Sequence, residues 1–500
     1  MSHEMMAPIM FGSLIVFLLI GYPVAFSLSA VGLLFSLIGM QLGLLQPSLL
    51  QALPQQVFDI MKNDTLLAIP FFTFMGLILE RSGMAEEMLD TIGQLFGRMR
   101  GGLAYAVIFV GALLAATTGV VAASVISMGL ISLPIMLRYG YDPRLASGVI
   151  AASGTLAQII PPSLVLIVLA DQLGTSVGDM YEGAFAPGLL LTGLYAVYVF
   201  IMTLIKPESA PALPPEARTL RGLRLAGKVV TSLLPPLVLI FLVLGTIFLG
   251  IATPTEGGAM GATGALILAL INRRLNVGLL KQAMDSTLKL STFVVFILIG
   301  ARVFRIAFLG VDGDKWVEGL LTAIPGGELG FLIAVNLLVF FLAFFLDFFE
   351  IAFILVPLLA PVAQKLGIDL VWFGVLLGVN MQTSFMHPPF GFALFYLRSV
   401  APKEIRTTDI YWGAIPFVLI QIIMVAIIIG FPELVGHHQK ATGGSENADL
   451  LYQQTPPADV SPQPGTLPSP DAPEQQDGAA PAEEPDAAAS LMEEAAKQGK

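Results

Sequence analysis

Cysteine is absent from this chain of 500 residues. Its absence excludes disulfide bonds, thiolate metal sites and cysteine nucleophiles. The sequence also lacks the GxSxG, HExxH and phosphate-binding P-loop patterns, which argues against the hydrolases and ATPases that depend on them. Charged residues make up 12% of the chain, against about 25% in soluble globular proteins. These shortages argue against a soluble enzyme.

Apolar residues are in excess. Hydrophobic residues make up 56% of the chain and the mean hydropathy is +0.82, values typical of a polytopic membrane protein. The net charge of -11 arises mostly after Gly436, so it indicates neither a nucleic-acid partner nor an anionic surface. Residues 1–7 lack basic residues and the first apolar run is too long for a signal-peptide core, so we expect a transmembrane helix there.

Nine apolar segments are predicted to cross the bilayer. The first is residues 10–40, with a kink expected at Tyr22-Pro23. The others are residues 65–79, 144–170, 183–205, 232–250, 253–271, 290–309, 372–397 and 410–431. Of the 25 Lys and Arg residues, 17 lie in five connections predicted to face the cytoplasm: residues 80–100, 138–144, 206–228, 272–289 and 398–409. This orientation puts the N-terminus inside and the C-terminus outside.

Two of the apolar segments are interrupted by the same kind of sequence. Residues 380–391 and 153–163 each carry small polar residues followed by a Pro-Pro pair. A proline frees a backbone carbonyl, which hydrocarbon tolerates only where protein, water or a ligand satisfies it. Both segments are therefore predicted to be broken helices around a cavity. A shift of 227 positions superposes Pro161-Pro162 on Pro388-Pro389, Pro134 on Pro361, Gly140 on Gly367 and Asp142 on Asp369.

The shared shift predicts an all-α membrane fold of two inverted repeats, the arrangement of many secondary transporters. We expect a first repeat over residues 1–205, a basic linker and extra span over 206–250, a second repeat over 251–431 and a disordered acidic tail over 432–500. Each repeat also contains a divided apolar run, predicted to be a re-entrant hairpin at about residues 101–137 and 329–362. From Gly102 to Thr117 a helix rises only about 24 Å, less than the bilayer core.

Asp347 and Glu350 lie within an apolar run, where an acidic residue costs at least about 2.5 kcal/mol unless it faces water or a partner. One hypothesis is that they bind or gate a cation at the second hairpin tip. The alternative is a structural pair that caps the break or meets Arg302 or Arg305.

The remaining polar candidates have comparable alternatives. Thr117, Thr118, Ser124 and Ser127 offer oxygen ligands for sodium, or helix–helix hydrogen bonds. His387 is a proton or substrate contact, or a buried neutral side chain.

Five stretches carry a family resemblance: residues 68–76 (AIPFFTFMG), 129–142 (GLISLPIMLRYGYD), 159–163 (IIPPS), 252–256 (ATPTE) and 388–391 (PPFG). Together they resemble the large membrane subunit, or DctM-type subunit, of tripartite ATP-independent periplasmic (TRAP) transporters. The resemblance implies a sodium-driven, elevator-type transporter in the bacterial cytoplasmic membrane, with no cofactor besides sodium ions. It also implies a small DctQ-type membrane subunit and a periplasmic binding protein that delivers an organic acid.

The resemblance further implies a sodium site between each hairpin tip and its broken helix, with substrate between the two sites. The implied sodium ligands are Thr118, Gly119, Ser124, Gly154 and Pro161 in the first repeat, and Asp347, Glu350, Asn380, Thr383 and Pro388 in the second. The residues expected to line the substrate are Thr117, Thr155, Ser163, Ser384 and His387.

This chain departs from many family members at two motifs. It has Thr117-Thr118-Gly119 in place of a Gly-Ser-Ser tip, and His387-Pro388-Pro389 in place of Thr-Pro-Pro. These departures argue against the sialic-acid and C4-dicarboxylate branches of the family. Residues 348–350 (FFE) and 382–385 (QTSF) look more like the branch labelled mannitol/chloroaromatic, and that resemblance implies 2-oxo or hydroxy monocarboxylates as substrates. Two other hypotheses stay open: a carboxylate exchanger that needs no binding protein, and an intramembrane enzyme that uses His387 with Asp347 or Glu350.

Overall fold

The structure, a computed structural model, describes residues 3–436, without the side chains of residues 3, 4, 117 and 118. The described residues form helices and their connections, which confirms the predicted all-α fold. The first half contains α1 (His3–Ile20), α2 (Val24–Gln41), α3 (Ser48–Gln51), α4 (Leu53–Met61), α5 (Asp64–Arg81), α6 (Met84–Phe96), α7 (Gly102–Thr118), α8 (Val121–Arg138), α9 (Pro143–Thr155), α10 (Leu164–Leu173) and α11 (Val177–Ile205).

The second half contains α12 (Gly222–Phe248), α13 (Pro254–Ile271), α14 (Val277–Gly310), α15 (Gly313–Thr322), α16 (Gly327–Leu342), α17 (Phe348–Ile354), α18 (Val356–Lys365), α19 (Leu370–Met381), α20 (Phe392–Val400) and α21 (Thr407–Gly430). Among the described helices, six are long and apolar enough to cross a membrane, or nine if each of three bent pairs is one span. The shorter apolar helices α7, α10 and α19 belong to the hairpins and broken segments.

The helix order of the first half returns in the second at the 227-residue shift found in the sequence. Shifted by 227 positions, α8 covers residues 348–365, the span of α17 and α18 together. The same shift carries α9 onto α19, α10 onto α20 and α11 onto α21 to within three residues at each end. Shifted in this way, α5 lies entirely within α14, and α6 covers α15.

Helices of the first half pack along helices of the second half. α2 packs along α14, and its counterpart α13 packs along α5. Small residues allow these close approaches: a Cβ atom on Gly32 would lie 2.8 Å from the carbonyl oxygen of Val303, and one on Gly300 would lie 2.5 Å from that of Ala25. In the other pair, a Cβ on Gly261 would lie 2.5 Å from Sδ of Met75.

The predicted single span over residues 10–40 is wrong, because this segment forms two antiparallel helices. Gly21 has φ of 89° and Pro23 begins α2, so the chain reverses between α1 and α2. Met6, near the start of α1, lies beside Gly39, near the end of α2: its Cε is 3.0 Å from the position of a Cβ on Gly39. With the orientation that the basic residues favour, this extra crossing moves the N-terminal end of α1 to the outside.

Three further expectations change. α12 is not an extra span within residues 206–250, because the 227-residue shift makes it the counterpart of α1. Most of residues 272–289, predicted to connect two spans, belongs instead to the 34-residue α14, which continues into the next span. Residues 432–436 are not part of a disordered tail: Val435 is buried, close to Gly183 of α11. The rest of the predicted tail lies outside the described residues.

A hydrogen bond joins equivalent positions of the two repeats in the buried interior. Nε2 of Gln382 donates to Oγ1 of Thr155 at 3.2 Å, and these residues are 227 positions apart. A second bond joins residues that are 226 positions apart, one less than the repeat shift: Nε2 of Gln421 donates to the hydroxyl of Tyr195 at 2.9 Å. All four side chains are fully buried. The two broken helices therefore meet at the centre of the protein through polar side chains.

A cysteine at Tyr22 tests the α1–α2 reversal, and the cysteine-free chain gives no background. Tyr22 is exposed at the turn, so we expect Tyr22→Cys to react with a membrane-impermeant maleimide from the cytoplasmic side. Ser48→Cys, in the exposed α2–α4 connection, is the control and should react only from the opposite side. A cysteine at residue 22 that reacts only after detergent solubilisation would restore the single kinked span.

The Thr155–Gln382 bond is open to a double-mutant cycle. We expect Thr155→Val and Gln382→Leu to show a coupling free energy of about 1 kcal/mol in unfolding titrations. Thr192→Val is the matched control, since Oγ1 of Thr192 bonds only to the carbonyl oxygen of Gly188 within its own helix. Additive effects of Thr155→Val and Gln382→Leu would show that the bond adds nothing.

Candidate functional site

The first hairpin tip is a tight reversal between α7 and α8. Gly119 ends α7 with φ of 57°, a conformation that favours glycine. A Cβ there would lie 3.4 Å from the amide nitrogen of Leu164 and 3.5 Å from the carbonyl oxygen of Pro162. The tip therefore rests on the Pro-Pro segment of the first broken helix. Val120 precedes α8 without a side-chain cap, so the first-turn N–H groups of α8 have no side-chain partner of this kind.

The first broken helix is α9, a 3-10 turn over Leu156–Gln158, the Pro161-Pro162 pair and α10. Ser163 connects the two parts: its Oγ donates to the carbonyl oxygen of Gln158 at 2.5 Å and accepts from the amide of Leu166 at 3.4 Å. Gly154 lies against the backbone of Val125, next to Ser124. The structure thus brings Gly119 to the Pro161-Pro162 segment, and Gly154 to Val125, the residue after Ser124.

One of the four predicted hydroxyl residues, Ser127, has a defined partner in the structure. Oγ of Ser127 donates to Oε1 of Glu80 at 2.6 Å, which confirms the helix–helix interpretation for Ser127. The side chains of Thr117 and Thr118 lie outside the described residues, so their assignment to substrate and sodium stays a prediction.

The second hairpin tip carries a capping box formed by its two acids. Oδ1 of Asp347 accepts from the amide of Phe348 at 2.6 Å, and Oε2 of Glu350 accepts from the amide of Asp347 at 3.0 Å. The capping hypothesis is therefore confirmed. Both residues also line a cavity, so capping does not exclude cation binding.

The second broken helix is α19, a 3-10 turn over Gln382–Phe385, the Pro388-Pro389 pair and α20. Nδ2 of Asn380 donates to Oδ1 of Asn336 on α16 at 2.9 Å, which joins this helix to the hairpin. Oγ1 of Thr383 donates to the carbonyl oxygen of Asn380 at 2.7 Å, and Oγ of Ser384 donates to that of Met381 at 2.7 Å. Both hydroxyls thus pair with carbonyls freed near the break.

His387 lies in an aromatic sandwich. Its ring stacks on Phe344 with centroids 4.2 Å apart and meets Phe340 edge-on at 4.3 Å. The side chain is buried, and neither ring nitrogen has a hydrogen-bond partner among the described residues. This packing joins the second Pro-Pro loop to the second hairpin, and it favours the buried-histidine alternative.

A cavity of about 370 Å³ lies where both hairpin tips meet both broken helices and α14. Its polar lining includes two carboxylates, and the described lining residues include no Lys, Arg or His. The lining residues are Gly119, Val120, Val121, Ala122, Gln158, Leu164, Val165, Leu290, Phe293, Asp347, Phe348, Phe349, Glu350, Phe385, Phe392 and Tyr396.

The two hairpin tips bring groups of different polarity to this cavity. At the first hairpin tip, Val121 and Ala122 belong to the start of α8, whose N–H groups favour an anion. At the second tip, Asp347 and Glu350 favour a cation. The lining therefore offers groups that suit an anion and groups that suit a cation.

Gln158 is one of the lining residues that sequence analysis missed. It is 1% exposed, and neither its Oε1 nor its Nε2 has a hydrogen-bond partner among the described residues. Leaving such buried groups unpaired costs about 1–3 kcal/mol each. The available signal was an uncharged polar residue three positions before a Pro-Pro pair. Thr155, Ser163, Ser384 and His387 are not among the residues lining this cavity, and their predicted contact with substrate stays a prediction.

Comparison with known proteins gives a consistent result. Residues 11–434 match the family model described as the DctM component of the tripartite ATP-independent periplasmic transporter. The C4-dicarboxylate TRAP transporter large permease protein DctM of Pseudomonas aeruginosa is 31% identical over 78% of this chain and 89% of its own length. The sialic acid TRAP transporter large permease protein SiaM of Vibrio cholerae is 28% identical over 83% of this chain and 93% of its own.

A solved structure has a similar fold. The YdaH transporter of Alcanivorax borkumensis aligns with a TM-score of 0.54 at 18% identity, over 78% of this chain and 91% of that one. At this identity the likeness concerns the fold alone. The family match over nearly all of the described residues, together with the multi-pass helical fold, shows that this chain belongs to the DctM components of tripartite ATP-independent periplasmic transporters and is a membrane transport permease, not an enzyme.

Proposed function

We propose that this permease imports a small organic acid together with sodium ions across the bacterial cytoplasmic membrane. The observation that carries the proposal is the cavity between the two hairpin tips, which is lined by the start of α8 and by two acids, Asp347 and Glu350. The chain lacks a P-loop, so an ion gradient is the energy source that fits its sequence. The monocarboxylates that its branch resemblance implies are the first substrates to test.

The second hairpin tip supports a sodium site. Asp347 and Glu350 lie within one helical turn of each other in apolar surroundings. Their two carboxylates therefore repel each other unless a cation or protons neutralise them. Hydroxyl and carbonyl oxygens of Asn380 and Thr383 lie at the adjacent break. Hard oxygen ligands of this kind suit sodium. The equivalent tip at Gly119, with Ser124, Gly154 and Pro161, offers mainly backbone carbonyls and one hydroxyl for another sodium ion.

The packing supports an elevator-type movement. The crossed pairs α2–α14 and α5–α13 pack through small residues with close backbone approach, as expected of a rigid scaffold. The hairpins and broken helices enclose the cavity between them. We propose that they move together relative to the scaffold and carry substrate and sodium across the membrane.

We propose two protein partners on the strength of the family. Its description is tripartite and periplasmic, which fits a periplasmic solute-binding protein that delivers the acid and a small DctQ-type membrane subunit. Orientation by basic residues places α3 and α4 on the periplasmic side, where a binding protein would dock. The second candidate, an exchanger that needs no binding protein, differs only in this dependence.

Uptake by proteoliposomes containing this chain and its small subunit tests the proposal. Labelled pyruvate, 4-methyl-2-oxopentanoate, lactate and succinate would each be offered with a candidate binding protein and an inward sodium or potassium gradient. Uptake that requires both sodium and a binding protein is the expected result. Uptake without a binding protein would establish the exchanger instead, and equal uptake in potassium would contradict sodium coupling.

Asp347→Asn removes the negative charge of this residue and keeps its capping of the helix, because Asn caps a helix about as well as Asp. We expect the half-saturating sodium concentration to rise about tenfold, since a charged ligand is lost while the fold persists. Asp369→Asn is the matched control. Asp369 caps α19 by accepting from the amide of Trp372 at 2.7 Å, and it does not line the cavity. An equal sodium response in the two variants would remove Asp347 from the sodium site.

A further inference from the structure

The walls of the cavity between the hairpin tips are mostly aromatic. Five phenylalanines and one tyrosine line it, contributed by α14, the second hairpin tip and the second broken helix: Phe293, Phe348, Phe349, Phe385, Phe392 and Tyr396. Leu164, Val165 and Leu290 add aliphatic surface. Such a surface stabilises an apolar group by roughly 25 cal/mol per Å² of buried area, and the hydroxyl of Tyr396 is the one hydrogen-bond donor that these side chains offer a carboxylate.

The charges in the cavity also disfavour a dianion. Its described lining contains the carboxylates Asp347 and Glu350 and no cationic side chain. Recognition of carboxylates usually relies on Arg or on converging N–H donors. Among the described lining residues, converging N–H donors come from Gln158 and the start of α8. One carboxylate can be bound there, whereas a second would face aromatic rings or the two acids.

Gln158 has a side-chain amide that could donate a hydrogen bond to one bound carboxylate. Its carbonyl oxygen accepts from Oγ of Ser163, its side-chain amide is buried and has no hydrogen-bond partner among the described residues, and the residue lines the cavity. Val121 and Ala122 of the uncapped α8 line the same cavity. The side-chain Nε2 and these first-turn N–H groups are the donors that a bound carboxylate would satisfy.

On the basis of the proposed transport function, we infer that this permease selects monocarboxylates with a branched or aromatic apolar side chain and binds their carboxylate through the Gln158 amide and the first turn of α8. The apolar side chain then lies against the phenylalanines of the second hairpin and α14. Sodium at Asp347 and Glu350 offsets the acids beside it. Gln158 is thus a specificity-determining residue, since its neutral amide accommodates one carboxylate without favouring a second.

Binding to the purified permease with its small subunit in nanodiscs tests this inference without a binding protein. Phenylpyruvate, 4-methyl-2-oxopentanoate, pyruvate and succinate would be titrated in sodium and in potassium buffers by calorimetry. We expect phenylpyruvate and 4-methyl-2-oxopentanoate to bind in sodium at least about tenfold more tightly than succinate, and pyruvate to fall between them.

Variants at Gln158 complete the test. Gln158→Leu keeps the volume and removes the donor, so we expect about tenfold weaker binding of phenylpyruvate, and Gln158→Glu should weaken it further by charge repulsion. Gln421→Leu is the matched control: Gln421 is equally buried, its Oε1 is also unpaired, and it does not line the cavity. It should lower thermal stability without changing affinity.

The outcomes separate the inference from the proposed function. Succinate binding as tightly as phenylpyruvate in sodium would overturn the selectivity and leave sodium-coupled transport intact. Unchanged affinity in Gln158→Leu would remove Gln158 from the site. Should Gln158→Leu fail to fold, the ligand series on the natural protein still decides the selectivity. Absence of binding by every acid in sodium would overturn both the inference and the proposed function.

Discussion

The architecture of this permease depends on satisfying backbone groups that are freed at four helix breaks inside an apolar protein. In hydrocarbon an unpaired N–H or C=O group costs several kcal/mol, so a break persists only where other groups or a ligand complete it. Here Ser163, Thr383 and Ser384 pair with carbonyls at the two broken helices, and the Asp347–Glu350 box caps the second hairpin tip. The start of α8 and the Gln158 amide are left for a ligand.

Much of this fold was predictable because the helix breaks require particular residue types, which can be recognised in the sequence. The Pro-Pro pairs and the 227-residue shift located both broken helices and the equivalence of the repeats, since Pro, Gly and Asp at helix boundaries have fixed backbone roles. Asp142 and Asp369 show this directly: each caps the helix that follows it. The hairpin tips followed from apolar runs too short to span the bilayer.

The parts that sequence analysis missed depend on contacts between distant residues. Nothing local distinguishes a proline kink from a full reversal at residues 21–23, and the contact between Met6 and Gly39 decides in favour of reversal. Without α1 as a separate helix, its counterpart α12 seemed to be an extra span. Gln158 and the aromatic walls were missed for the same reason, because the cavity is formed by four elements far apart in the chain.

The repeats share a backbone plan, yet their chemistry differs where it meets the cavity. Under the 227-residue shift, Val120 corresponds to Asp347, Ala123 to Glu350 and Gln158 to Phe385. The first repeat therefore leaves its hairpin helix uncapped and supplies an amide, whereas the second caps its helix with acids and supplies an aromatic ring. Two symmetric repeats would give two like ends. Three differences between equivalent positions instead bring an amide and an uncapped helix start from one repeat and two acids from the other, as the proposed coupling of an acid to sodium would need.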